Sequence, residues 1–213
     1  MSVSFDFTGK SVLVTGASSG IGFGVAMAFA KAGADLTILS DSEAIYAAAE
    51  QMPGNVRAIQ CDIADAELVT ARLQPVERLD VLINNAGLER PTPLTGENPS
   101  GNATFEQIIA INIIGTQNVT DTLVSRIADG GRIILTASIW SRIAVPGFSA
   151  YVASKHGMVG LMRTWARELG PRGIRVNAIC PGWVKTAPAM NSLREMAETS
   201  GRSEAEVEQE IMA

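Results

Sequence analysis

The stretch SVLVTGASSGIGFGVAMAFAKAG, residues 11–33, constrains the fold more than any other. An apolar run, SVLVT (11–15), passes through glycines into a helical pattern over 21–33. A short strand feeding a helix through a glycine turn is the first half of a βαβ unit. The alternation continues with LTIL (36–39), a helix near 42–52, VRAIQ (56–60), a helix over 65–73 and VLIN (81–84). It then runs through a long helix near 104–128, RIILTAS (132–138), a helix near 150–169 and IRVNAIC (174–180). Strands alternating with helices predict right-handed crossovers and a doubly wound α/β fold with a parallel sheet. Its strands read as unbroken apolar runs, and 46% hydrophobic against 18% charged residues suits a sheet covered on both faces. At 213 residues, one domain over 1–213 is expected.

The net charge of −5 offers no basic footprint for phosphates or anionic lipid, so neither nucleic acid nor membrane is an expected partner. MSVSFDFTGK has no signal-peptide pattern, and no run approaches the ~18 apolar residues of a span. A cytoplasmic location is expected. Cys61 and Cys180 lie in separate apolar runs without CxxC or His-rich company, which predicts two core residues and neither metal site nor disulfide. The one long polar connection is 88–103, of a length that usually carries function.

Glycines in TGASSGIG (15–22) permit a tight turn and close approach to a pyrophosphate, which the next helix's free N–H groups and positive dipole end would hold. Gly16, Ser18, Ser19, Gly20, Ile21 and Gly22 are the candidate contacts. Gly-rich turns also serve helix-to-strand packing, so its place after the first strand is what favours a dinucleotide. Asp41 ends the second strand, where an acidic residue would meet the adenosine ribose and repel a 2′-phosphate. No Arg or Lys is nearby, so NAD is expected over NADP; the other reading of Asp41 is an N-cap.

Tyr151 and Lys155, at i and i+4, share a helix face. An ammonium there would stabilise the phenolate and lower a pKa that starts near 10, making an acid/base usable near neutral pH. Taken alone, the pair reads better as a half-buried tyrosine and a solvated lysine. Ser138, closing the strand RIILTAS, puts a hydroxyl where strand ends meet a ligand crevice and favours the chemical reading. His156, the only histidine, points about 100° around the helix from Lys155 and is not expected to act.

With TGASSGIG (15–22), CDI (61–63), NNAG (84–87), Asn112, Ser138, YVASK (151–155) and PGWVKT (181–186) in order and in register, the chain resembles the short-chain dehydrogenase/reductases from about residue 7 to 190. The resemblance implies that Tyr151 transfers the proton, Lys155 lowers its pKa and binds the nicotinamide ribose, and Ser138 fixes the substrate oxygen. Asn112 would hold a water linking Lys155 to solvent. Asp62 and Ile63 would contact adenine; Asn85, Ala86 and Gly87 would line the adenosine side. Val184 and Thr186, after Pro181 and Gly182, would meet the carboxamide. The implied reaction is hydride transfer between a nicotinamide and a secondary alcohol or ketone.

By the same resemblance, a last strand and its Gly-rich segment are expected to be missing after 213, leaving an edge of unpaired backbone. The long helix and the helix near 150–169 resemble those that pair between subunits, so a homodimer or homotetramer is expected. Glu89, Arg90, Trp140, Arg142 and Trp183 are the candidate substrate contacts. Two arginines and a glutamate suggest a polar small molecule, a sugar, polyol or sugar acid; the other reading is a solvated rim. A sugar-nucleotide epimerase would also use YxxxK, but with TGxxGxxG and a larger C-terminal domain. A catalytically silent dinucleotide-binding or regulatory protein would not need Ser138, Tyr151 and Lys155 together.

Overall fold

The computed structural model describes residues 4–95 and 103–212; residues 96–102 of the polar connection lie outside the described residues. Six strands form one sheet: β1 (Ser11–Thr15), β2 (Asp35–Ser40), β3 (Val56–Gln60), β4 (Leu79–Asn84), β5 (Ile127–Thr136) and β6 (Arg175–Ile179). Their spatial order is β3-β2-β1-β4-β5-β6 and every pairing is parallel. The chain moves outward from β1 to β3, then crosses back to place β4 on the other side of β1. That reversal makes a topological switch between β1 and β4, the place where open α/β sheets leave a ligand crevice at the strands' carboxyl ends.

Successive strand residues face opposite layers, and both layers are buried. Leu13, Leu82 and Leu135 pack with Val69 of α3 (Ala66–Arg72) and Leu73 just after it, Val119 and Leu123 of α5 (Thr116–Leu123), and Met158 and Trp165 of α6 (Ser149–Leu169). Val12, Val14, Ile38 and Ile83 pack with Ala26 and Ala30 of α1 (Gly20–Lys31) and Ile45 and Ala48 of α2 (Ala44–Glu50). Truncating a fully buried leucine such as Leu13 or Leu82 to alanine is expected to cost about 2–5 kcal/mol.

The expected long helix is broken by geometry, not by sequence gaps. It comprises α4 (Phe105–Ile109), a π-helical turn over Ala110–Gly115, α5 and a 3₁₀ turn to Arg126, and Ile127 already begins β5. A Cβ on Gly115 would lie 2.6 Å from the Ile63 side chain, so the π segment lets the helix meet the loop after β3.

Two local expectations are corrected. Asp41 does not cap α2: Glu43 occupies the N-cap position without a side-chain bond, and Asp41 Oδ1 instead accepts from Ser40 Oγ at 3.1 Å. Cys61 is buried, but Cys180 is exposed, because it follows the edge strand β6 rather than a covered one. On β6, Val176 and Ala178 reach the core while Arg175, Asn177 and Ile179 face out. The acidic tail forms α7 (Ala187–Ser200) and α8 (Glu204–Met212), packed on a separate small cluster of Leu193, Ala197 and Val207. No helix among the described residues is long and apolar enough to cross a membrane, and no metal-ligand cluster occurs among them.

Candidate active site

A cleft of about 490 Å³ opens over the carboxyl ends of the strands. One end is lined by Ser18, Ser40, Asp41 and Asp62, the middle by Gly16, Ser19, Gly20, Ile21, Ile63 and Asn85 to Gly87, and the other end by Ser138, Tyr151 and Lys155.

The glycine turn is tied to the second half of the fold. Thr15 Oγ1 accepts from the backbone N–H groups of Asn85 and Ala86, both at 3.0 Å, and Asn85 Nδ2 donates to the carbonyls of Thr15 and Gly16, both at 3.1 Å. Gly16 has φ +64°, and a Cβ there would sit 2.7 Å from Ala86 Cα. A Cβ on Gly22 would be 2.2 Å from the Gly16 carbonyl oxygen, so Gly22 packs under the turn and does not line the cleft. Thr186 caps α7 by accepting from Ala189 N at 3.3 Å and lies over Gly20.

At the other end, β5 stops at Thr136, and Ser138 begins a 3₁₀ turn (Ile139–Ser141), its Oγ accepting from Trp140 N at 3.1 Å. Ser138 and Tyr151 line the same cleft, near enough for the Ser138 hydroxyl to bear on the phenol. Lys155 is 3% exposed; its Nζ donates to the Thr136 carbonyl at 2.8 Å and to Met158 Sδ at 3.5 Å, and stands 5.3 Å from the centre of the Tyr151 ring. Burial lowers Lys155 to about 8. Tyr151 is pushed up to about 12, first by burial and then by the charge of Glu89, with the Ser138 hydroxyl pulling the other way. The Lys155 ammonium lies over the ring face and bonds a carbonyl, and it is not among the causes of the Tyr151 shift.

Asn112 sits in the π turn, fully buried. Its Oδ1 accepts from Leu88 N at 2.7 Å, and its Nδ2 donates to the Leu88 carbonyl at 3.0 Å and to Ser154 Oγ at 2.9 Å. A Cβ on Gly87 would approach Asn112 Oδ1 at 3.1 Å and Lys155 Nζ at 3.4 Å, so three motifs meet there. The Asn112 side chain thus clamps the segment after NNAG from both sides.

Glu89 and Arg90 line the cleft, as do Pro181, Gly182 and Thr186. Trp140 lies behind it, edge-on to Tyr151 at 5.7 Å and tilted on Phe148 at 5.0 Å. Arg142 is exposed outside the lining, and so is Val184. Trp183 packs against the small α7–α8 cluster, with its buried Nε1 unpartnered. Ser40, Leu88, Ile111 and Ser192 also line the cleft and were not singled out from the sequence. Ser40 was adjacent to a chosen residue; Ser192, in a tail without any motif, carried no signal.

Residues 10–197 match the family described as short chain dehydrogenase. The chain belongs to the short-chain dehydrogenase/reductase family. Family relatives include the oxidoreductase UcpA of Salmonella typhimurium, 39% identical over 198 residues, covering 88% of this chain and 74% of the relative. D-threitol dehydrogenase of Mycolicibacterium smegmatis is 38% identical, over 87% of this chain and 75% of the relative. Among solved structures, a short chain dehydrogenase/reductase family protein superposes with TM-score 0.81 at 31% identity, covering 91% of this chain and 82% of that one. A Burkholderia cenocepacia short chain dehydrogenase in complex with NADP gives 0.76 at 33%, covering 85% and 77%. A Brucella melitensis 3-ketoacyl-(acyl-carrier-protein) reductase complexed with NADH gives 0.77 at 28%, covering 87% and 80%. The family places this chain among NAD(P)-dependent oxidoreductases.

Proposed function

We propose that the protein is an NAD-preferring dehydrogenase/reductase that interconverts a secondary alcohol and its ketone on a small polar molecule, a sugar, polyol or sugar acid. The carrying observation is that Ser138, Tyr151 and buried Lys155 line one cleft together with the glycine turn. The residues present suit a dinucleotide: a glycine turn whose close packing leaves no room for a Cβ at Gly16, exposed N–H groups at the start of α1, and Asp41 and Asp62 at the far end.

A nicotinamide dinucleotide held by the glycine turn at one end and by Lys155 at the other would supply the hydride chemistry, taking up the carbinol hydrogen with its electron pair in oxidation and giving it back in reduction. Ser138 donates to the substrate oxygen and orients it toward Tyr151. In oxidation Tyr151 Oη takes the hydroxyl proton as the carbon–oxygen double bond forms; in reduction it returns that proton. Lys155, held by the Thr136 carbonyl, supplies positive charge beneath the phenol and would hydrogen-bond the ribose of a bound cofactor. Asn112 holds the Leu88 segment, and with it Glu89 and Arg90, in place.

NAD is favoured because Ser18, Ser40, Asp41 and Asp62 put carboxylates and no cation at the end opposite Tyr151; the NADP-bound Burkholderia relative shows that the family admits the other cofactor. The D-threitol dehydrogenase relative supports a polyol over a lipid-like substrate. A cytoplasmic homodimer or homotetramer completes the proposal; exposed Phe105 and Ile114 on the long helix support association. The test is reduced-nicotinamide absorbance with NAD and NADP against sugars, polyols, sugar acids and simple secondary alcohols. Turnover of one polar class with NAD ahead of NADP supports the reading, and silence toward every class with both cofactors contradicts it.

A further inference from the structure

We propose that Glu89 is the specificity-determining residue of the substrate end, and that the substrate is an uncharged polyhydroxy alcohol or ketose whose hydroxyl beside the reacting carbon donates to its carboxylate. The inference rests on the oxidoreductase reading and narrows its substrate class.

Glu89 lines the cleft next to Tyr151, close enough for its charge to act on the phenol. Its backbone is anchored one residue away, where Asn112 grips both the N–H and the carbonyl of Leu88. Ser192, on α7 and 7% exposed, lines the same cleft and bears on the Glu89 carboxyl. The segment after β4 and α7 therefore bring Glu89 and Ser192 to one place in the reaction chamber. An ionised carboxylate has about four acceptor sites, enough to take a ligand's hydroxyls.

The cations that would welcome an acidic substrate are elsewhere. Arg142 is outside the lining. Arg90 lines the cleft but its Nη1 donates to the Glu89 carbonyl at 2.8 Å and its charge faces the Glu89 carboxylate, which spoils a bidentate grip on a second one. Glu195 adds negative charge to the same neighbourhood. A substrate carboxylate would meet like charge in a partly desolvated cleft, whereas a hydroxyl would give Glu89 a donor.

The experiment compares four-carbon probes: erythritol, butane-2,3-diol, butan-2-ol and erythronate, with both cofactors, on the wild type, Glu89→Gln and Ser192→Ala, after thermal melting shows that each variant is folded. The expected wild-type order in kcat/KM is erythritol, then the diol, then butan-2-ol, with erythronate at least about tenfold below erythritol. Glu89→Gln is expected to shrink the erythritol to butan-2-ol ratio by about tenfold or more and to raise erythronate relative to erythritol; Ser192→Ala shifts the same ratios less, through KM. A wild type that prefers erythronate, or a Glu89→Gln variant with unchanged ratios, overturns the inference. If the wild type turns over none of them, saturation-transfer NMR on the NADH-loaded protein decides. Erythritol contact that Glu89→Gln abolishes supports the inference even while the oxidoreductase reading fails, and no erythritol contact overturns it.

Discussion

Lys155 stands over the face of Tyr151, its Nζ 5.3 Å from the ring centre and bonded to the Thr136 carbonyl at 2.8 Å. The protein thereby stores an ammonium, almost wholly out of water, beneath the group proposed to move the proton. Burial of that charge carries a cost that the fold must offset elsewhere.

Lys155→Met is expected to abolish detectable turnover yet stabilise the protein at pH 7, by on the order of 1–3 kcal/mol in urea melts. The sign follows from the lysine's fall from 10.5 unfolded to about 8 folded. Below pH 8 both states are protonated and the full penalty is present; between about 8 and 10.5 the folded form has shed its proton while the unfolded form has not. Wild-type stability therefore gains a rising contribution over that window, which the methionine variant lacks.

Tyr151, held up to about 12, is protonated at neutral pH and ready to donate. Ketone reduction is expected to run well at pH 7, and alcohol oxidation to rise toward alkaline pH. Because the Glu89 charge is one cause of the elevation, Glu89→Gln is expected to move the oxidation profile to lower pH in a kcat/KM titration.

Gly22→Ala places a methyl group 2.2 Å from the Gly16 carbonyl and 2.4 Å from Asn85 Nδ2, neither of which can retreat without opening the link between the glycine turn and the loop after β4. The expected result is about 1–3 kcal/mol of destabilisation and at least about a tenfold weaker NADH complex by fluorescence titration.

Asp41→Ala removes a carboxylate from the end of the cleft opposite Tyr151. The ratio of kcat/KM for NAD to that for NADP is expected to fall by about tenfold or more, since the repelling charge goes while no new cation is introduced.

The strands of the sheet were legible in advance because each is a bounded apolar run, and β1 to β4 lie within two residues of their expected limits. The path of the long helix was less so: a π turn depends on Gly115 meeting Ile63, a contact between segments that no local pattern announces. In the cleft, the motif residues Gly16, Asn85, Ser138, Tyr151 and Lys155 come together because each follows a strand end or lies on the helix over it. The substrate end was misread more often. Trp183 looked available from its place after Pro181 and Gly182, but the α7–α8 pair gives it an apolar bed, and Ser192 entered the cleft from that same pair. Charge direction was also hidden, since spacing puts Lys155 near Tyr151 but cannot tell the ring face from the hydroxyl.

The most direct test of Tyr151 as the proton-transferring group is Tyr151→Phe at saturating cofactor, with turnover and NADH affinity measured on the same preparation. A fall in kcat of at least about a hundredfold with the Kd for NADH within about twofold of wild type is the predicted result. Turnover that survives the loss of the phenolic hydroxyl would contradict it and move the proton transfer to another group in the cleft.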